Sequence, residues 1–493
     1  MGQSYPTASR ALLLLAASIA ALALSGAAQA AATVPCRLKG IDREVRCGMV
    51  SVAEDPDRPE GRRIEVHYAV VPALARVRAV EPVFVFAGGP GQSARKVAGQ
   101  LQPLFARLNA RRDIVYVDQR GTGASNALAC ETERKPAARL AEMLDEEKLS
   151  ARTRECLRRL GAGADLRQYA TWIAVRDLDA VRAALGYERI NLWGASYGTR
   201  AALEYLRQFP QRVRSAVLDG AAPADMALPA SFAVDAQASL ERLIAACGAD
   251  AACNGRYPGL GPSMDRLLAR ASGSGLSATV DHPLTGRPEE LRLQPDTMAS
   301  VLRVPLYSPP LAALLPYALA EASRDNLAPL VAMASSLTSG VAENLAEGMH
   351  FAVVCAEDMP RVDAAARAAA GSTRFGDSFV RSYDEACAAV PTREVPAAFY
   401  RPSDADVPVL ILSGGADPAT PPRHGERLAR ELKRATHVVA PNLAHGVSMH
   451  GCAPDLVAGF IRNAGAAGLD LDCLGRLPAP AFFAPPAGGG KAR

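Results

Sequence analysis

The sequence has little net charge, and it lacks the common motifs for binding metals and nucleotides. Among its 493 residues, 55 Lys and Arg nearly balance 51 Asp and Glu, and no basic stretch is interleaved with aromatic residues, so nucleic acid is not an expected partner. No Cys-x-x-Cys or His-x-x-x-His spacing occurs, which argues against a zinc site. The Gly-rich loop at residues 88–91 fits neither a Walker motif nor the Rossmann pattern. We therefore expect neither a metal nor an organic cofactor.

An apolar run long enough to suggest membrane insertion occurs only at the N-terminus, where it has the form of a signal peptide. Arg10 precedes an apolar stretch at residues 11–24, and residues 28–30 supply small side chains for cleavage. We predict a signal peptide at residues 1–30 and a periplasmic or secreted mature chain. The alternative is an uncleaved anchor helix, but the run is short for a bilayer span. No Cys lies at the cleavage region and no later segment is apolar enough to span a membrane, so no membrane association is expected after cleavage.

Ten cysteines follow this segment, an even number that is typical of disulfide bonding in exported proteins. They form five couples that are close in sequence, and we predict that each cysteine pairs with its nearest neighbour, although spacing alone does not fix the connectivity. The predicted pairs are Cys36 with Cys47, Cys130 with Cys156, Cys247 with Cys253, Cys355 with Cys387, and Cys452 with Cys473.

Short apolar runs alternate with helical patterns in two parts of the mature chain. This alternation predicts an α/β fold with a mostly parallel sheet that is covered by helices on both faces. The runs that indicate strands are residues 83–86, 113–117, 189–193, 213–218, 407–412 and 436–439. The patterns that indicate helices are residues 165–185, 199–208 and 423–432.

A long Ala- and Leu-rich stretch of helical character interrupts this alternation and predicts an inserted cap. We expect the first part of the α/β core at residues 31–221, a helical cap or lid at residues 222–404, and the second part of the core at residues 405–477. Residues 478–493 are rich in Pro, Ala and Gly and are expected to form a flexible tail. The alternative is that the insertion has no part in catalysis.

Residues 194–198 have the sequence Gly-Ala-Ser-Tyr-Gly and stand between a predicted strand and a predicted helix. This is the context of a nucleophile elbow, a strained turn that exposes a serine hydroxyl beside the N-terminus of a helix. A bare Gly-x-Ser-x-Gly pattern arises often by chance, so the two flanking elements carry the interpretation. We predict that Ser196 is the nucleophile of a serine hydrolase.

A serine nucleophile of this kind requires two amide donors that stabilise an oxyanion. One is expected from Tyr197, the residue after the nucleophile. The other is expected from the Gly-Gly-Pro-Gly loop at residues 88–91, from Gly89 or Gly88, because this loop directly follows a predicted strand. The alternative for the loop is a plain turn.

The general base and its orienting acid follow the nucleophile in the chain order Ser, Asp, His in this type of enzyme. Asp417 follows the predicted strand at residues 407–412, and His445 follows the strand at residues 436–439. Both residues therefore come after the carboxyl end of a strand. We predict that His445 takes the proton of Ser196 and that Asp417 holds the imidazole in place.

Two other polar clusters are candidates for supporting the loops of the site or for binding substrate. Asp118 and Arg120 lie in a loop after a predicted strand, where they are expected to brace the Gly-rich loop rather than contact substrate. Glu357 and Asp358 lie in the predicted cap, where they are candidates for binding the positive N-terminal amine of a substrate. The alternative is that they are a solvated acidic pair beside a disulfide.

Together these motifs resemble the proline iminopeptidase and tripeptidyl aminopeptidase group of exported α/β-hydrolases. The resemblance implies the α/β-hydrolase fold with a mainly helical cap, removal of residues from peptide N-termini, and a triad of Ser196, Asp417 and His445. Proline iminopeptidases commonly carry His before the Gly-rich loop, and Ala87 at that position argues against strict proline specificity. The segments that match are residues 88–91, 118–123, 177–186, 194–199, 407–410, 417–418 and 445–446.

The expected partner is thus a peptide or a small ester. The group that the chain resembles includes esterases, so a carboxylesterase with the same triad is a close alternative. A non-catalytic binding protein on a hydrolase scaffold is a further alternative, and the intact Ser, Asp and His argue against it.

Overall fold

The computed structural model describes Gly2 and residues 33–130, 145–273, 275–282, 285–334 and 345–485. Apart from Gly2, the predicted signal peptide lies outside the described residues, as do residues 486–493 of the predicted tail. In chain order the strands are β1 (Val34–Cys36), β2 (Val45–Ala53), β3 (Arg63–Val71), β4 (Val83–Phe86), β5 (Ile114–Val117), β6 (Ile190–Ala195), β7 (Val213–Asp219), β8 (Leu276–Asp281), β9 (Pro288–Leu293), β10 (Val409–Gly414) and β11 (Ala435–Ala440).

The central sheet has the strand order β1-β2-β3-β5-β4-β6-β7-β10-β11. Neighbours among the first four strands of this order, β1, β2, β3 and β5, pair antiparallel. Neighbours among β5, β4, β6, β7, β10 and β11 pair parallel. Every residue of β4, β5 and β10 is buried, as expected for continuous apolar strands that are covered on both faces. Because the carboxyl ends of parallel strands meet at one edge of a sheet, the loops after β4, β6, β7, β10 and β11 come together there.

Several helices begin at a residue whose side chain caps the first turn. The Ser93 side chain, for example, accepts a hydrogen bond from the Lys96 amide at the start of the first helix. In chain order the helices are α1 (Ala94–Asn109), α2 (Glu146–Gly163), α3 (Thr171–Ala184), α4 (Tyr197–Gln208), α5 (Ala230–Ala249), α6 (Ala251–Arg256), α7 (Leu260–Ser272), α8 (Pro295–Arg303), α9 (Pro309–Ala312), α10 (Leu315–Ala322), α11 (Glu347–Glu357), α12 (Ala364–Gly371), α13 (Ser378–Cys387), α14 (Pro422–Glu431) and α15 (Ala453–Asn463). Residues 328–334 are also helical.

Helices cover both faces of the central sheet. On one face, α1 and α15 bury Phe105 and Phe460 against strand residues such as Val85. On the other face, α3, α4 and α14 bury a second cluster that includes Tyr205 and Leu428. Each large apolar side chain buried in this way stabilises the fold by about 1.5–3 kcal/mol. The predicted fold class, an α/β-hydrolase fold with a mostly parallel sheet and helices on both faces, is confirmed.

The chain between β7 and β10 is mainly helical and has a hydrophobic core of its own. It also contains the antiparallel pair of β8 and β9, which the mainly helical sequence pattern did not predict. Each of these strands has only six residues, and only alternate positions such as Leu276 and Val280 are buried, so the signal in the sequence is short and weak. The presence of a helical insertion is confirmed, whereas its boundaries at residues 222 and 404 stay predictions.

All ten cysteines form disulfides, and the nearest-neighbour pairing is confirmed. The bridges join Cys36 to Cys47, Cys130 to Cys156, Cys247 to Cys253, Cys355 to Cys387, and Cys452 to Cys473. Bridges in this number are typical of proteins that fold outside the cytosol. Among the described residues, none of the helices has the length and apolar character needed to cross a membrane.

Candidate active site

Ser196 forms a sharp turn between β6 and α4. Its backbone has φ 55° and ψ −126°, a conformation that costs a non-glycine residue about 1–3 kcal/mol. The turn is held by hydrogen bonds from the Ser196 amide to the Asp219 carbonyl at 2.8 Å and from the Thr199 hydroxyl to the Ser196 carbonyl at 2.6 Å. The strained serine therefore lies at the edge of the sheet where the strands end, as the elbow prediction requires.

The two glycines of the elbow allow this turn to pack closely against its neighbours. A Cβ atom at Gly194 would lie 2.4 Å from the carbonyl oxygen of Gly198. A Cβ atom at Gly198 would lie 2.0 Å from the carbonyl oxygen of Phe86, at the end of β4. Any side chain at these positions would thus separate the helix from the sheet and shift Ser196.

The Gly-rich loop at residues 88–91 lies directly beside the nucleophile. A Cβ atom at Gly88 would lie 3.5 Å from the Ser196 Cβ atom. The Gly88 amide already donates to the Gln92 side chain at 3.3 Å, which makes Gly89 the better candidate for the loop's oxyanion donor. The Tyr197 amide belongs to the first residue of α4, where an amide has no acceptor within its own helix. These two amides are the donors that the geometry favours.

Asp118 braces the segment that follows this loop, but Arg120 does not. The Asp118 carboxylate accepts hydrogen bonds from the Ser93 hydroxyl at 2.6 Å and from the Arg95 amide at 3.1 Å, and so fixes the start of α1. Arg120 instead forms a buried ion pair with Asp177, with N···O distances of 2.6 and 2.8 Å. The expectation that Arg120 supports the Gly-rich loop is therefore wrong, because its guanidinium pairs with Asp177 on α3.

Asp417 and His445 are hydrogen-bonded to each other. His445 Nδ1 lies 2.8 Å from Asp417 Oδ2, and Asp417 is buried. The amides of Ala419 and Thr420 donate to Asp417 Oδ1, and the Thr420 hydroxyl donates to Oδ2. These contacts fix both the carboxylate and the imidazole that it orients.

The same contacts change the protonation of the pair. Burial opposes ionisation of Asp417, but the neighbouring imidazole and the two amides hold the pKa of its carboxyl below the ordinary value. Burial alone would lower the pKa of His445, yet the Asp417 carboxylate raises it above the ordinary value. The imidazole is thereby favoured as a proton acceptor.

Asp219, which the sequence interpretation missed, joins the nucleophile to the histidine loop. Its carbonyl accepts from the Ser196 amide, while its carboxylate accepts from the amides of Val447 and Ser448 at 2.8 Å each. A Cβ atom on the adjacent Gly220 would lie 3.5 Å from His445 Cε1. The end of β7 thus brings the serine turn and the histidine loop together.

The Ser196 hydroxyl makes no hydrogen bond to His445 within the described part of the chain, where the imidazole is bonded through Nδ1. Hydrogen bonds between a nucleophile and its base are often long in a free enzyme and shorten when substrate binds. The position of Gly220 leaves His445 Cε1 close to the backbone that holds Ser196.

The sequence signal for Asp219 was only that a buried strand ends in an acidic residue.

Glu357 and Asp358 have partners within the protein, and their role as amine-binding residues stays a prediction. Both are fully buried. Asp358 pairs through both oxygens with Arg200 at 2.9 and 3.0 Å, and Glu357 accepts from the Thr171 amide at 2.6 Å. Arg200 lies on α4, directly after the elbow, so the two acids connect the predicted cap to the core. Burial raises the pKa of Glu357 to about 7.

The insertion also contacts the catalytic loops directly. The Ser239 hydroxyl on α5 donates to the Ala416 carbonyl at 2.8 Å, next to Asp417. The Tyr307 ring packs edge-on against the His445 ring, with 5.3 Å between their centres. No group of three or more His, Cys, Asp or Glu within the described ranges could hold a metal ion.

Two family models match this chain. A model of the alpha/beta hydrolase fold matches residues 81–244, which include the Gly-rich loop and the elbow. A model described as TAP-like protein matches residues 372–473, which include Asp417 and His445. The chain has the α/β-hydrolase fold and a TAP-like C-terminal region, and these matches support its assignment as a serine hydrolase.

Characterised relatives agree with this assignment. Serine protease Hip1 of Mycobacterium tuberculosis is 28% identical over 469 residues, which cover 87% of this chain and 88% of that protein. Tripeptidyl aminopeptidase of Streptomyces lividans is 29% identical over 193 residues, 36% of each chain. Carboxylesterase B of Mycobacterium tuberculosis is 31% identical over 192 residues, again 36% of each chain. The resemblance to the tripeptidyl aminopeptidase group is thus confirmed.

Proposed function

We propose that this protein is an exported aminopeptidase that cleaves amide bonds at peptide N-termini through an acyl-enzyme. The observation that carries the proposal is the 2.8 Å hydrogen bond between His445 and Asp417 at the sheet edge that also carries the strained Ser196. Export to the periplasm or the medium is supported by the five disulfides.

In the proposed reaction the Ser196 oxygen attacks the scissile carbonyl while His445 takes the hydroxyl proton. The amides of Gly89 and Tyr197 donate to the oxygen that becomes negative. The C–N bond then breaks, and His445 gives its proton to the leaving amine. Water, deprotonated by His445, then attacks the acyl-enzyme. The bond between the acyl carbon and the Ser196 oxygen breaks, His445 returns the proton to that oxygen, and the acid is released. Asp417 stabilises the imidazolium in both halves.

A peptide substrate is favoured over a simple ester by the extent of the similarities. The relative named a serine protease aligns with 87% of this chain, including the insertion, whereas the relative named a carboxylesterase aligns with 36%. The insertion is the part of the chain that contacts the Asp417 loop and the His445 ring, through Ser239 and Tyr307. We propose that it acts as a cap over the site. A carboxylesterase with the same triad is the second candidate.

Paired substrates test this proposal. An aminopeptidase requires a free amine, so we expect cleavage of a peptide with a free N-terminus and little cleavage of the same peptide after N-acetylation. Cleavage of acyl esters without cleavage of any free-amine peptide would establish the carboxylesterase instead. Mass spectrometry of a peptide-library digest would report the number and identity of the residues released.

The nucleophile is tested with Ser196→Ala. This variant is expected to lose several orders of magnitude in kcat and all labelling by a fluorophosphonate probe, while its Tm stays close to that of the unaltered protein. A variant that keeps the normal rate would show that another residue is the nucleophile. A folded, unaltered protein that is not labelled at Ser196 would favour a binding protein over an enzyme.

A further inference from the structure

Arg303 is a partly buried cation with an unusual environment. It is the last residue of α8, and its guanidinium carbon lies 4.4 Å from the ring centre of Phe232, 5.1 Å from that of Tyr307 and 5.4 Å from that of Phe379. One Nη donates to the Tyr307 hydroxyl. The Nε atom is buried without a hydrogen-bond partner. Among the described residues, no carboxylate pairs with Arg303.

Other buried arginines of this protein are neutralised. Arg120 pairs with Asp177, and Arg200 pairs with Asp358. Taking a charge out of water without a counter-ion is costly, and contacts with aromatic rings offset only part of that cost. The positive charge at Arg303 is therefore left available for an anion.

This cation lies next to the catalytic imidazole. Tyr307, which accepts the hydrogen bond from Arg303, is the residue whose ring packs at 5.3 Å against the ring of His445. The charge is also close enough to act on the imidazole, since Arg303 opposes the rise in the pKa of His445 that Asp417 causes. An anion bound at Arg303 would thus lie on the cap side of the reacting groups.

We propose that Arg303 is a specificity-determining residue that binds a carboxylate of the substrate. The inference rests on the proposed hydrolase function of the site and adds the charge of the substrate to it. A guanidinium presents a planar fork of N–H donors that matches a carboxylate, and the three surrounding rings hold the plane of this fork. The carboxylate is either an acidic side chain near the scissile bond or the C-terminus of a short peptide.

The first test compares an anionic ester with its neutral isostere. We expect kcat/KM for 4-nitrophenyl hydrogen adipate, corrected for its rate without enzyme, to exceed that for the corresponding adipamate ester by about 10- to 100-fold, as expected for a hydrogen bond between charged groups. Arg303→Gln should reduce this ratio to near one while the neutral ester keeps most of its rate. Arg303→Lys, which keeps the charge but not the fork, should restore part of the ratio.

Arg381→Gln is the matched control, because Arg381 is a cap arginine that already pairs with Asp296. It should keep the full preference for the anionic ester. A preference that persists in Arg303→Gln would overturn the proposal. An equal loss of both rates in that variant would also overturn it, because a purely structural arginine would behave in this way.

A second measurement needs no variant and separates this proposal from the proposed function. Glutarate, but not glutaramide, should slow fluorophosphonate labelling of Ser196 in the unaltered protein and should bind in isothermal titration calorimetry. If Ser196 is never labelled but glutarate binds and Arg303→Gln abolishes the binding, the hydrolase proposal fails and the carboxylate site stands. If labelling proceeds and glutarate has no effect in either assay, the carboxylate site fails alone.

Peptides distinguish the two sources of the carboxylate. A preference for Glu over Gln next to the scissile bond, in peptides with an amidated C-terminus, would assign the site to an acidic side chain. A preference for a free C-terminus over an amidated one, in short peptides without acidic residues, would assign it to the terminal carboxylate. Indifference to both changes would overturn the proposal for peptide substrates.

Discussion

The hydrogen bonds by which Asp219 connects the serine turn to the histidine loop provide the sharpest test of how this site is held together. The Asp219 carboxylate accepts one hydrogen bond from the Val447 amide and one from the Ser448 amide, each at 2.8 Å. Val447 follows His445 by two residues, so these bonds fix the path of the loop that carries the imidazole. Asp219→Asn removes one acceptor and the negative charge while keeping the size of the side chain.

The expected loss follows from the contacts. Asparagine can accept from only one of the two amides, and its NH2 group faces the other. The loss of a hydrogen bond to a charged acceptor costs about 1.5–3 kcal/mol, which corresponds to a fall in Tm of roughly 2–5 °C for a chain of this length. A shift of the imidazole of about 1 Å is enough for a fall in rate of about 100-fold. We therefore expect kcat to fall by about 10- to 100-fold.

The assay combines steady-state ester hydrolysis, thermal denaturation and a pH–rate profile. The Asp219 carboxylate helps to raise the pKa of His445, so Asp219→Asn should also move the acid limb of kcat/KM to lower pH. Asp113→Asn is a matched control. Asp113 is likewise buried and accepts from a backbone amide, that of Ala73 at 2.8 Å, but it precedes β5 and lies at the opposite edge of the sheet.

The control should lower the Tm and leave kcat and the acid limb unchanged. If Asp219→Asn keeps kcat within about two-fold and the acid limb does not move, the Asp219 carboxylate does not position His445. If both variants lower kcat equally, the effect reflects general destabilisation and the reasoning about these hydrogen bonds is refuted.

Three other predictions concern the elbow, the base and the cap. Gly198→Ala should lower the Tm and abolish activity, because its Cβ would lie 2.0 Å from a carbonyl oxygen, whereas Gly163→Ala, which meets nothing within 4 Å, should do neither. Burial lowers the pKa of His445 but Asp417 raises it above the ordinary value, so kcat/KM should fall as the pH drops through a value above the ordinary imidazole pKa. A fall in kcat/KM that occurs only below the ordinary imidazole pKa would contradict the assignment of His445 as the base. Burial raises the pKa of Glu357 to about 7, so the stability that its protonated form contributes is present below its ordinary pKa and is lost as the pH rises through about 7. The Tm of the unaltered protein should therefore fall over this pH range, and the Tm of Glu357→Gln should not. Parallel curves of Tm against pH for the two proteins would contradict this prediction.

The features of the site that the sequence predicts are those set by local chemistry. Only glycine fits at the positions two residues before and two residues after Ser196, since Cβ atoms at Gly194 and Gly198 would collide with backbone oxygens, and this requirement is visible as a motif. Asp417 and His445 follow strands, and the carboxyl ends of parallel strands must meet at one edge. Five short-range cysteine pairs are likewise visible as spacing. Each of these signals is local in sequence; even the paired cysteines are at most 32 residues apart.

The features that the sequence does not predict depend on contacts between distant segments. Asp219 has no motif, because its partners are two backbone amides more than two hundred residues away. The strands β8 and β9 are short and half-buried, so the Ala- and Leu-rich helices around them dominate the pattern. Arg120 has several acids nearby in sequence, and only the docking of α3 selects Asp177.

The charge that a substrate would meet is the clearest example of a feature that the sequence alone does not predict. From the sequence, Glu357 and Asp358 are attractive ligands for an amine, because a cap that contains two adjacent acids suggests a negative site. Arg200 cancels that charge from the helix after the elbow, and both acids become buried connections between cap and core. Arg303, one of many arginines in the sequence, meets aromatic rings instead of a carboxylate and keeps its charge beside His445. The charge that remains for a substrate therefore follows from which ion pairs the fold completes. The unpaired guanidinium of Arg303 is the basis for proposing a substrate that brings a negative group to the cap side of the His445 imidazole.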